Sequence, residues 1–245
     1  MPNAATTAQL ATRMVFYRRT SGFLLCEEVT LFTPKLDILP SPQRLLWPEL
    51  RNVPRKFVLY GGTALALRLG HRQSVDFGFF CNEPFAPDQL FSVIKLPRDS
   101  RVDQRGDNTL TVVVDEVKLS FFGDVGMNRV HDPDIADNGV QVASLLDLAA
   151  TKLKTIQQRA EAKDYEDIAS ALSAGIKLEE ALAAATAVFG PRFNVIATLK
   201  GLAYFADGDL RTIPAGMQKE LEMAAAAVDS DALPELTARS GIVRE

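Results

Sequence analysis

Two glycines and a threonine, Gly61-Gly62-Thr63, stand where a short apolar run ends and a helical pattern begins. In such a turn the backbone N–H groups and the positive end of the helix can approach a phosphate, because glycine has no side chain in the way. The tripeptide equally fits a structural turn in which Thr63 caps the helix. Neither G-x-x-x-x-G-K-[ST] nor G-x-G-x-x-G occurs in the sequence, so no competing phosphate motif is present.

Asp76 begins the next apolar run, and strand alternation places Asp76, Gly78 and Phe80 on one face. Carboxylates at positions 76 and 78 would lie about 6.6 Å apart, near enough to bracket a magnesium ion. Position 78 is glycine, so Asp76 is the candidate metal ligand of this strand. An Asp at the start of a strand is also typical of a turn or an edge.

Two further side chains share one face of a later strand. Alternation over residues 117–122 puts Lys118 and Ser120 together, opposite the apolar residues of that strand. They could line a cleft beside Asp76, or they could form the solvated face of a half-buried strand.

Lys152 lies on an apolar helical stripe with Leu145, Ala149 and Ile156. Because an ammonium group buried without a partner is costly, Lys152 must extend to solvent, meet a carboxylate, or face a cleft that binds phosphate. Asp147 is expected on the opposite, polar side of this helix, near its N-terminus.

Asp164 and Asp167 stand three residues apart at the edge of another helical stripe, which contains Tyr165, Ile168 and Leu172. The two carboxylates could lie at the rim of a pocket. Alternatively they are solvated acids that interact with the positive end of the helix.

The elements that must position these residues follow from hydrophobic periodicity and from turn residues. Strands are predicted at 57–60, 75–80, 109–115 and 117–122, and helices at 41–50, 63–69 and 87–94. Ser41 is the expected cap of the first helix. Five alanine- and leucine-rich helices are predicted at 143–159, 163–173, 178–188, 193–205 and 214–228.

This order predicts an α+β fold, a small mixed sheet with flanking helices followed by a C-terminal helical bundle. We divide the chain into a partly flexible N-terminal extension at 1–38, a core at 39–140 and a helical domain at 141–245. Residues 123–139 are expected to form a long loop, and the tail after Asp229 to be frayed.

The composition is that of an ordinary globular protein with 245 residues, 47% hydrophobic residues and a formal charge of −4. The acidic balance means that contact with nucleic acid would need a local basic patch. Two cysteines are too few for a disulfide framework, and neither a membrane span nor a secretory signal is recognised. These features favour a cytoplasmic protein without membrane association.

Five segments, taken in order, resemble the motifs of the AbiEii/AbiGii toxin nucleotidyltransferases. The similarity spans roughly residues 39–205, and the ordered set is more specific than any one segment. The segments are Leu59-Tyr60-Gly61-Gly62-Thr63-Ala64-Leu65-Ala66-Leu67, Gly70-His71-Arg72-Gln73-Ser74-Val75-Asp76-Phe77, Val117-Lys118-Leu119-Ser120-Phe121-Phe122, Asp147-Leu148-Ala149-Ala150-Thr151-Lys152 and Lys163-Asp164-Tyr165-Glu166-Asp167.

The resemblance implies a polymerase-β-like nucleotidyltransferase core that uses a nucleoside triphosphate and Mg²⁺. It implies that Asp76 binds Mg²⁺ and that Asp164 or Asp167 helps to activate the acceptor. The acceptor would be an RNA, with tRNA as the first candidate, or a protein, and a protein antitoxin would neutralise the toxin. The implied nucleotide-binding residues are Gly61, Gly62, Thr63, Ser74, Lys118 and Lys152.

One departure from the family pattern separates the functional hypotheses. The family has a second Asp at position 78, and the wider superfamily often has a third carboxylate near position 120, where this chain has Gly78 and Ser120. The leading hypothesis is an Mg²⁺-dependent nucleotidyltransferase toxin. The second is a nucleotide- or partner-binding protein that has lost metal-dependent turnover. A third is a helical interaction scaffold in which the glycine turn and the acids are structural.

Overall fold

The computed structural model describes residues 13–20, 23–97 and 99–244. The strands in this part of the chain form one sheet with the order β1-β2-β8-β9-β3-β4-β7-β6-β5. They are β1 Arg13–Thr20, β2 Phe23–Phe32, β3 Val58–Tyr60, β4 Asp76–Phe80, β5 Arg101–Gly106, β6 Thr109–Val114, β7 Val117–Phe122, β8 Asp134–Ala136 and β9 Gln141–Val142. The sheet is mixed, because β2 and β8, β3 and β9, and β4 and β7 pair in parallel, whereas the other neighbours are antiparallel.

The helices in the described residues begin with α1 Ser41–Leu46, α2 Gly61–Leu69 and α3 Pro87–Ile94. The five C-terminal helices are α4 Leu145–Thr155, α5 Ala162–Ser173, α6 Leu178–Phe189, α7 Val195–Leu202 and α8 Ala215–Ala227. Most ends of these helices lie within three residues of the predicted ends. The helices and the mixed sheet together confirm the predicted α+β class. In the portion of the chain described, none of the helices has the length and apolarity needed to cross a bilayer.

Strand alternation buries one face of the central sheet. Phe77 and Phe79 of β4 and Phe121 of β7 are fully buried, whereas their sequence neighbours on β4 are more exposed. The rings of Phe79 and Phe121 stack with centroids 5.1 Å apart, and Trp47 stacks on Phe77 at 6.1 Å. Burial of each large ring contributes about 2–3 kcal/mol, so this layer fixes β4 and β7 as a rigid support.

The first predicted helix differs from the observed one. Pro40 occupies the N-cap position of α1 and Ser41 is already helical, so the prediction of Ser41 as the cap is wrong. The α-helix ends at Leu46 and continues as a 3₁₀ helix over Trp47–Asn52. Pro48 explains the change, because proline lacks the N–H that an α-helix would need there.

Two segments for which the sequence predicted no strand contain strands. Strands β1 and β2 fall within the N-terminal extension, and β8 falls within the predicted loop at 123–139. The prediction of a frayed tail is wrong, because Ile242 is fully buried. The Arg129 guanidinium also donates to the carbonyl oxygens of Ser240 and Gly241, at 2.8 and 3.1 Å.

The division of the core from the helical domain at residue 140 stays an interpretation. Strand β9 follows that boundary yet pairs with β3, and α2 packs against both α4 and α5. The helical part therefore rests directly on the helix that follows the glycine turn.

Candidate functional site

The glycine turn joins the end of β3 to the start of α2. Gly61 has a φ of +82°, a left-handed conformation that glycine adopts without strain. Thr63 lies inside the first turn of α2 and is fully buried. Its hydroxyl donates to the carbonyl oxygen of Asp76 and lies 2.9 Å from the Ser74 hydroxyl. Thr63 therefore ties the start of β4 to the turn, and its side chain points away from solvent.

Strand β4 carries Asp76 on the face that the sequence predicted. Asp76 is exposed and shares this face with half-buried Gly78 and Phe80. The parallel register of β4 and β7 places Lys118 beside Asp76 and Ser120 beside Gly78. Lys118 is exposed, whereas Ser120 is 9% exposed and its hydroxyl lies 3.3 Å from that of Thr111. Asp76 and Lys118 thus form an accessible pair at one end of the sheet.

Lys152 meets two carboxylates, one of the three alternatives that the sequence left open. Its ammonium nitrogen lies 2.6 Å from Asp164 Oδ1 and 2.6 Å from Asp167 Oδ2. The Lys152 side chain is 7% exposed, and both carboxylates are completely buried. The interpretation of Asp164 and Asp167 as solvated acids is therefore excluded.

Each buried carboxylate also receives a guanidinium group. Arg72 donates from Nε to Asp167 Oδ1 and from Nη2 to Asp167 Oδ2, both at 2.8 Å. His71 Nε2 lies 2.6 Å from Asp167 Oδ1. Arg159 makes the corresponding fork on Asp164, at 2.8 and 3.2 Å. We call these six residues the buried ion cluster: His71, Arg72, Lys152, Arg159, Asp164 and Asp167.

The buried ion cluster keeps both carboxylates ionised. Burial by itself raises the pKa of Asp167, but hydrogen bonds from His71 and Arg72 and the charge of Lys152 outweigh it and lower the pKa to about 2. Burial likewise opposes ionisation of Asp164, and the bonds from Arg159 and Lys152 lower its pKa. Both groups are therefore anions at neutral pH.

The lowered pKa of Asp167 predicts a loss of stability in acid. Because the ordinary pKa is 3.8 and the folded-state pKa about 2, the contribution is complete above about pH 4 and is lost as the pH falls through 2. We expect it to be about 2 kcal/mol. Urea unfolding between pH 5 and 2 should show a slope that Asp167→Asn reduces. Asp88→Asn is the control, because Asp88 pairs with Arg105 at the surface. An unchanged slope in Asp167→Asn would contradict the prediction.

Arg72 connects the buried ion cluster to the glycine turn. A Cβ atom placed on Gly62 would lie 2.7 Å from Arg72 Nη2 and 3.0 Å from Ser74 Oγ. The structure thus brings Gly62, Ser74, Lys152, Asp164 and Asp167 into one chain of contacts. Asp76 is linked to the same turn through Thr63.

Sequence reasoning missed His71 and Arg72 as site residues. Both stand in the quoted segment between Gly70 and Asp76, and that position was the available signal. Asp147 lies in the first turn of α4, as expected, but the prediction that it faces the polar side is wrong, because it is 3% exposed. Its carboxylate accepts from the backbone N–H groups of Val130 and His131, at 2.8 and 3.0 Å, which fixes the loop before α4.

The close approach at Gly62 predicts that Gly62→Ala is destabilising. The added methyl must displace a guanidinium that Asp167 holds in place, and overpacking of this kind costs about 1–3 kcal/mol. Gly216 is a matched control, because it is also the second residue of a helix and a Cβ there meets nothing within 4 Å. Gly216→Ala should be neutral or stabilising. Equal unfolding free energies for the two variants would refute this expectation.

Three comparisons place the chain among known proteins. The family model for the nucleotidyl transferase AbiEii toxin of the type IV TA system matches residues 49–120 and 96–238. An uncharacterised protein of Aquifex aeolicus (strain VF5) is 37% identical over 116 residues, which are 46% of this chain and 55% of that protein. The match thus spans about half of that relative's length.

A solved structure is similar in fold. MenT4, a nucleotidyltransferase toxin from Mycobacterium tuberculosis H37Rv, superposes with a TM-score of 0.52 and 15% sequence identity. The superposition covers 76% of this chain and 84% of MenT4. At this identity the likeness concerns the fold alone, and it confirms the nucleotidyltransferase fold that the sequence motifs implied.

Proposed function

The chain belongs to the AbiEii nucleotidyl transferase toxin family, and on this premise we propose that it transfers a nucleotide from a nucleoside triphosphate to a hydroxyl group of RNA, with tRNA as the first candidate. A protein hydroxyl is the alternative acceptor. The observation that carries the proposal is the contact of a buried, cation-rich cluster with the Gly61-Gly62 turn, beside an exposed carboxylate on β4.

The glycine turn supports the binding of a triphosphate. The backbone N–H groups of Gly61, Gly62 and Thr63 lie at the start of α2, where the helix dipole favours negative charge. Lys118 lies beside Asp76 on the neighbouring strand β7 and is exposed, so its ammonium group is available to a phosphate oxygen. Ser74 supports the turn through Thr63.

In the proposed reaction, the acceptor oxygen forms a bond to the α-phosphorus of the triphosphate. The bond from that phosphorus to the bridging oxygen breaks, pyrophosphate leaves, and the acceptor proton passes to solvent or to a base. The residues around the turn hold the triphosphate in place, and such positioning supplies much of the catalysis in phosphoryl and nucleotidyl transfer.

The residues at the start of β4 fit magnesium in one specific way. Among the described residues no three His, Cys, Asp or Glu side chains are placed to hold a metal ion together. Magnesium is commonly bound by one or two carboxylates, water and substrate phosphates, so the exposed Asp76 fits an ion that enters with the triphosphate. Such an ion would neutralise charge on the phosphate oxygens.

Gly78 supports a second candidate function, a nucleotide- or partner-binding protein with little turnover. The single carboxylate at position 76 leaves the proposed metal site with one protein charge fewer than the family pattern. For both candidate functions we propose that a protein antitoxin neutralises the chain. We expect the chain to be in the cytoplasm.

A transfer assay tests the proposal. Purified protein is incubated with each α-³²P-labelled ribonucleoside triphosphate, Mg²⁺, and either total RNA or total protein. We expect label in RNA with the wild-type chain and none with Asp76→Asn. Label in protein instead would identify the alternative acceptor. Absence of label with both the wild-type chain and Gly78→Asp would refute the enzyme. Triphosphate binding by the wild type, with transfer only in Gly78→Asp, would favour the second candidate.

A further inference from the structure

The oxygens of Asp167 are fully engaged, which argues against its use as a general base. Oδ1 contacts His71 and the Nε of Arg72, and Oδ2 contacts Lys152 and the Nη2 of Arg72. The side chain has no exposed surface. A general base must lie within hydrogen-bond reach of the proton that it removes, and an acceptor hydroxyl cannot reach a carboxylate enclosed by three cationic or ring groups.

Arg72 is placed differently from the other guanidinium group of the cluster. Its side chain is 18% exposed, less than the 45% of Arg159, so exposure does not distinguish it. In the described part of the chain three of its five N–H groups are used, two on Asp167 and one on the carbonyl oxygen of Gln73. Two N–H groups are left over, on Nη1 and Nη2. Nη2 is the atom closest to the place of a Cβ on Gly62, so a free donor stands at the glycine turn.

The buried ion cluster as a whole carries a net positive charge. Three cationic side chains face two carboxylates, with His71 counted as neutral, so one positive charge is not balanced inside the cluster. Glu161 at the rim pairs both with Lys163, at 2.7 Å, and with Arg159 of the cluster, at 3.4 Å, so Glu161 and Lys163 together add no net charge. A cluster with net positive charge that contacts a turn of backbone N–H groups suits a polyanion such as a triphosphate.

We infer that Arg72 binds the triphosphate at the Gly61-Gly62 turn, and that Asp167 is a positioning residue that holds the Arg72 guanidinium in the plane required for that contact. This inference rests on the proposed function, because it assigns a triphosphate to the turn. Lys152 and Asp164 extend the support, since Lys152 joins the two carboxylates. Gly62 is required because any larger residue would push Arg72 out of place.

Arg159 provides a matched control for Arg72. It makes the same two-pronged contact with Asp164 that Arg72 makes with Asp167, but it is more exposed and none of its atoms is among the three nearest to the place of a Cβ on Gly62. A purely structural cluster predicts equal effects of Arg72→Gln and Arg159→Gln on triphosphate binding. A binding role for Arg72 predicts a difference between them.

The test is calorimetric titration of the full chain with inorganic triphosphate and with ATP, GTP, CTP and UTP, each in the presence of Mg²⁺. Loss of a charge-assisted contact is expected to weaken binding about tenfold or more in Arg72→Gln. Arg159→Gln, which removes a guanidinium from Asp164 and none from the turn, should weaken binding clearly less than Arg72→Gln does. Equal affinities for the wild type and Arg72→Gln, or equal losses in both variants, would overturn the inference. If Arg72→Gln does not fold, Arg72→Lys keeps the charge without the fork and must show an intermediate loss.

Asp167→Asn separates positioning from base catalysis. A positioning role predicts that triphosphate affinity falls about as far as in Arg72→Gln and that the double variant is no weaker than either single one. If Asp167 is a general base, Asp167→Asn should lower the transfer rate and leave triphosphate affinity unchanged. That result would refute the inference. A wild-type chain that binds none of the five ligands refutes the proposed function itself. If triphosphate binding depends on Arg72 but no transfer is found, the inference stands and the proposed enzymatic activity is refuted.

Discussion

Gly78→Asp should raise the rate of Mg²⁺-dependent nucleotide transfer by about 100-fold, equivalent to about 3 kcal/mol of additional transition-state stabilisation. Position 78 lies on the same, less buried face of β4 as Asp76, two residues further along the strand. Two carboxylates at this spacing can both reach one divalent ion. The substitution therefore supplies the second metal-binding charge that the family pattern contains and this sequence lacks.

The strand has room for the new side chain. A Cβ at Gly78 would lie 3.4 Å from Phe80 Cε2 and 3.8 Å from the carbonyl oxygen of Tyr60, which are ordinary packing distances. The backbone of Gly78 has no positive φ, so it is not strained by a side chain. Without metal, the two neighbouring carboxylates repel each other, so Gly78→Asp should lower the Tm slightly and make it rise on addition of Mg²⁺.

Gly78→Asn is the matched control, because asparagine has nearly the same shape without the charge. We expect little gain in transfer from Gly78→Asn and none from Gly78→Asp combined with Asp76→Asn. The initial rate of label incorporation at several Mg²⁺ concentrations is the measurement. An equal rate in the wild type and in Gly78→Asp, with both proteins folded and both binding triphosphate, would show that a second carboxylate at this position is irrelevant.

The glycine turn and the strands beside it could be predicted because their signals are local. Four apolar residues stopped by two glycines identified β3 and the start of α2, and Gly70 correctly marked the end of α2, where φ is +65°. Alternation correctly assigned the two faces of β4 and β7. Each of these features depends on residues within one or two turns of chain.

The outer strands could not be predicted from the same signals. Strand β5 has mostly exposed residues and lies at the edge of the sheet, where polar and charged side chains are expected. Strand β8 has three residues and pairs with β2, which is distant in sequence, and with β9, which begins five residues later.

The site was predicted as a set of residues but not as a network. Periodicity placed Lys152 on a buried stripe and showed that it needed a partner, and the structure supplies two. Periodicity could not show that Asp164 and Asp167 are buried. Their enclosure depends on Arg72, which is distant in the sequence, and on Arg159. Burial of a charge depends on tertiary contacts, which a single-helix pattern does not contain.

Lys152→Met should lower the free energy of unfolding by about 3–5 kcal/mol, the largest stability effect that we expect from a single substitution in the described residues. Methionine fills a similar volume but leaves two fully buried carboxylates facing each other without the ammonium group between them. Arg72 and Arg159 still bind one carboxylate each, so the fold is expected to survive at lower stability. Urea unfolding at pH 7 measures the difference.

Lys163→Met is the control, because Lys163 lies one residue before Asp164 and pairs with Glu161 at the exposed rim. Surface pairs contribute about 0–1 kcal/mol, so this variant should unfold nearly as the wild type does. In an Asp167→Asn background, Lys152→Met should cost less, because one of the two stranded charges is already gone. Equal costs in both backgrounds would mean that Lys152 and Asp167 are not coupled. In that case Asp167 alone would position Arg72. Lys152 would then contact the phosphates directly or have no part in binding them.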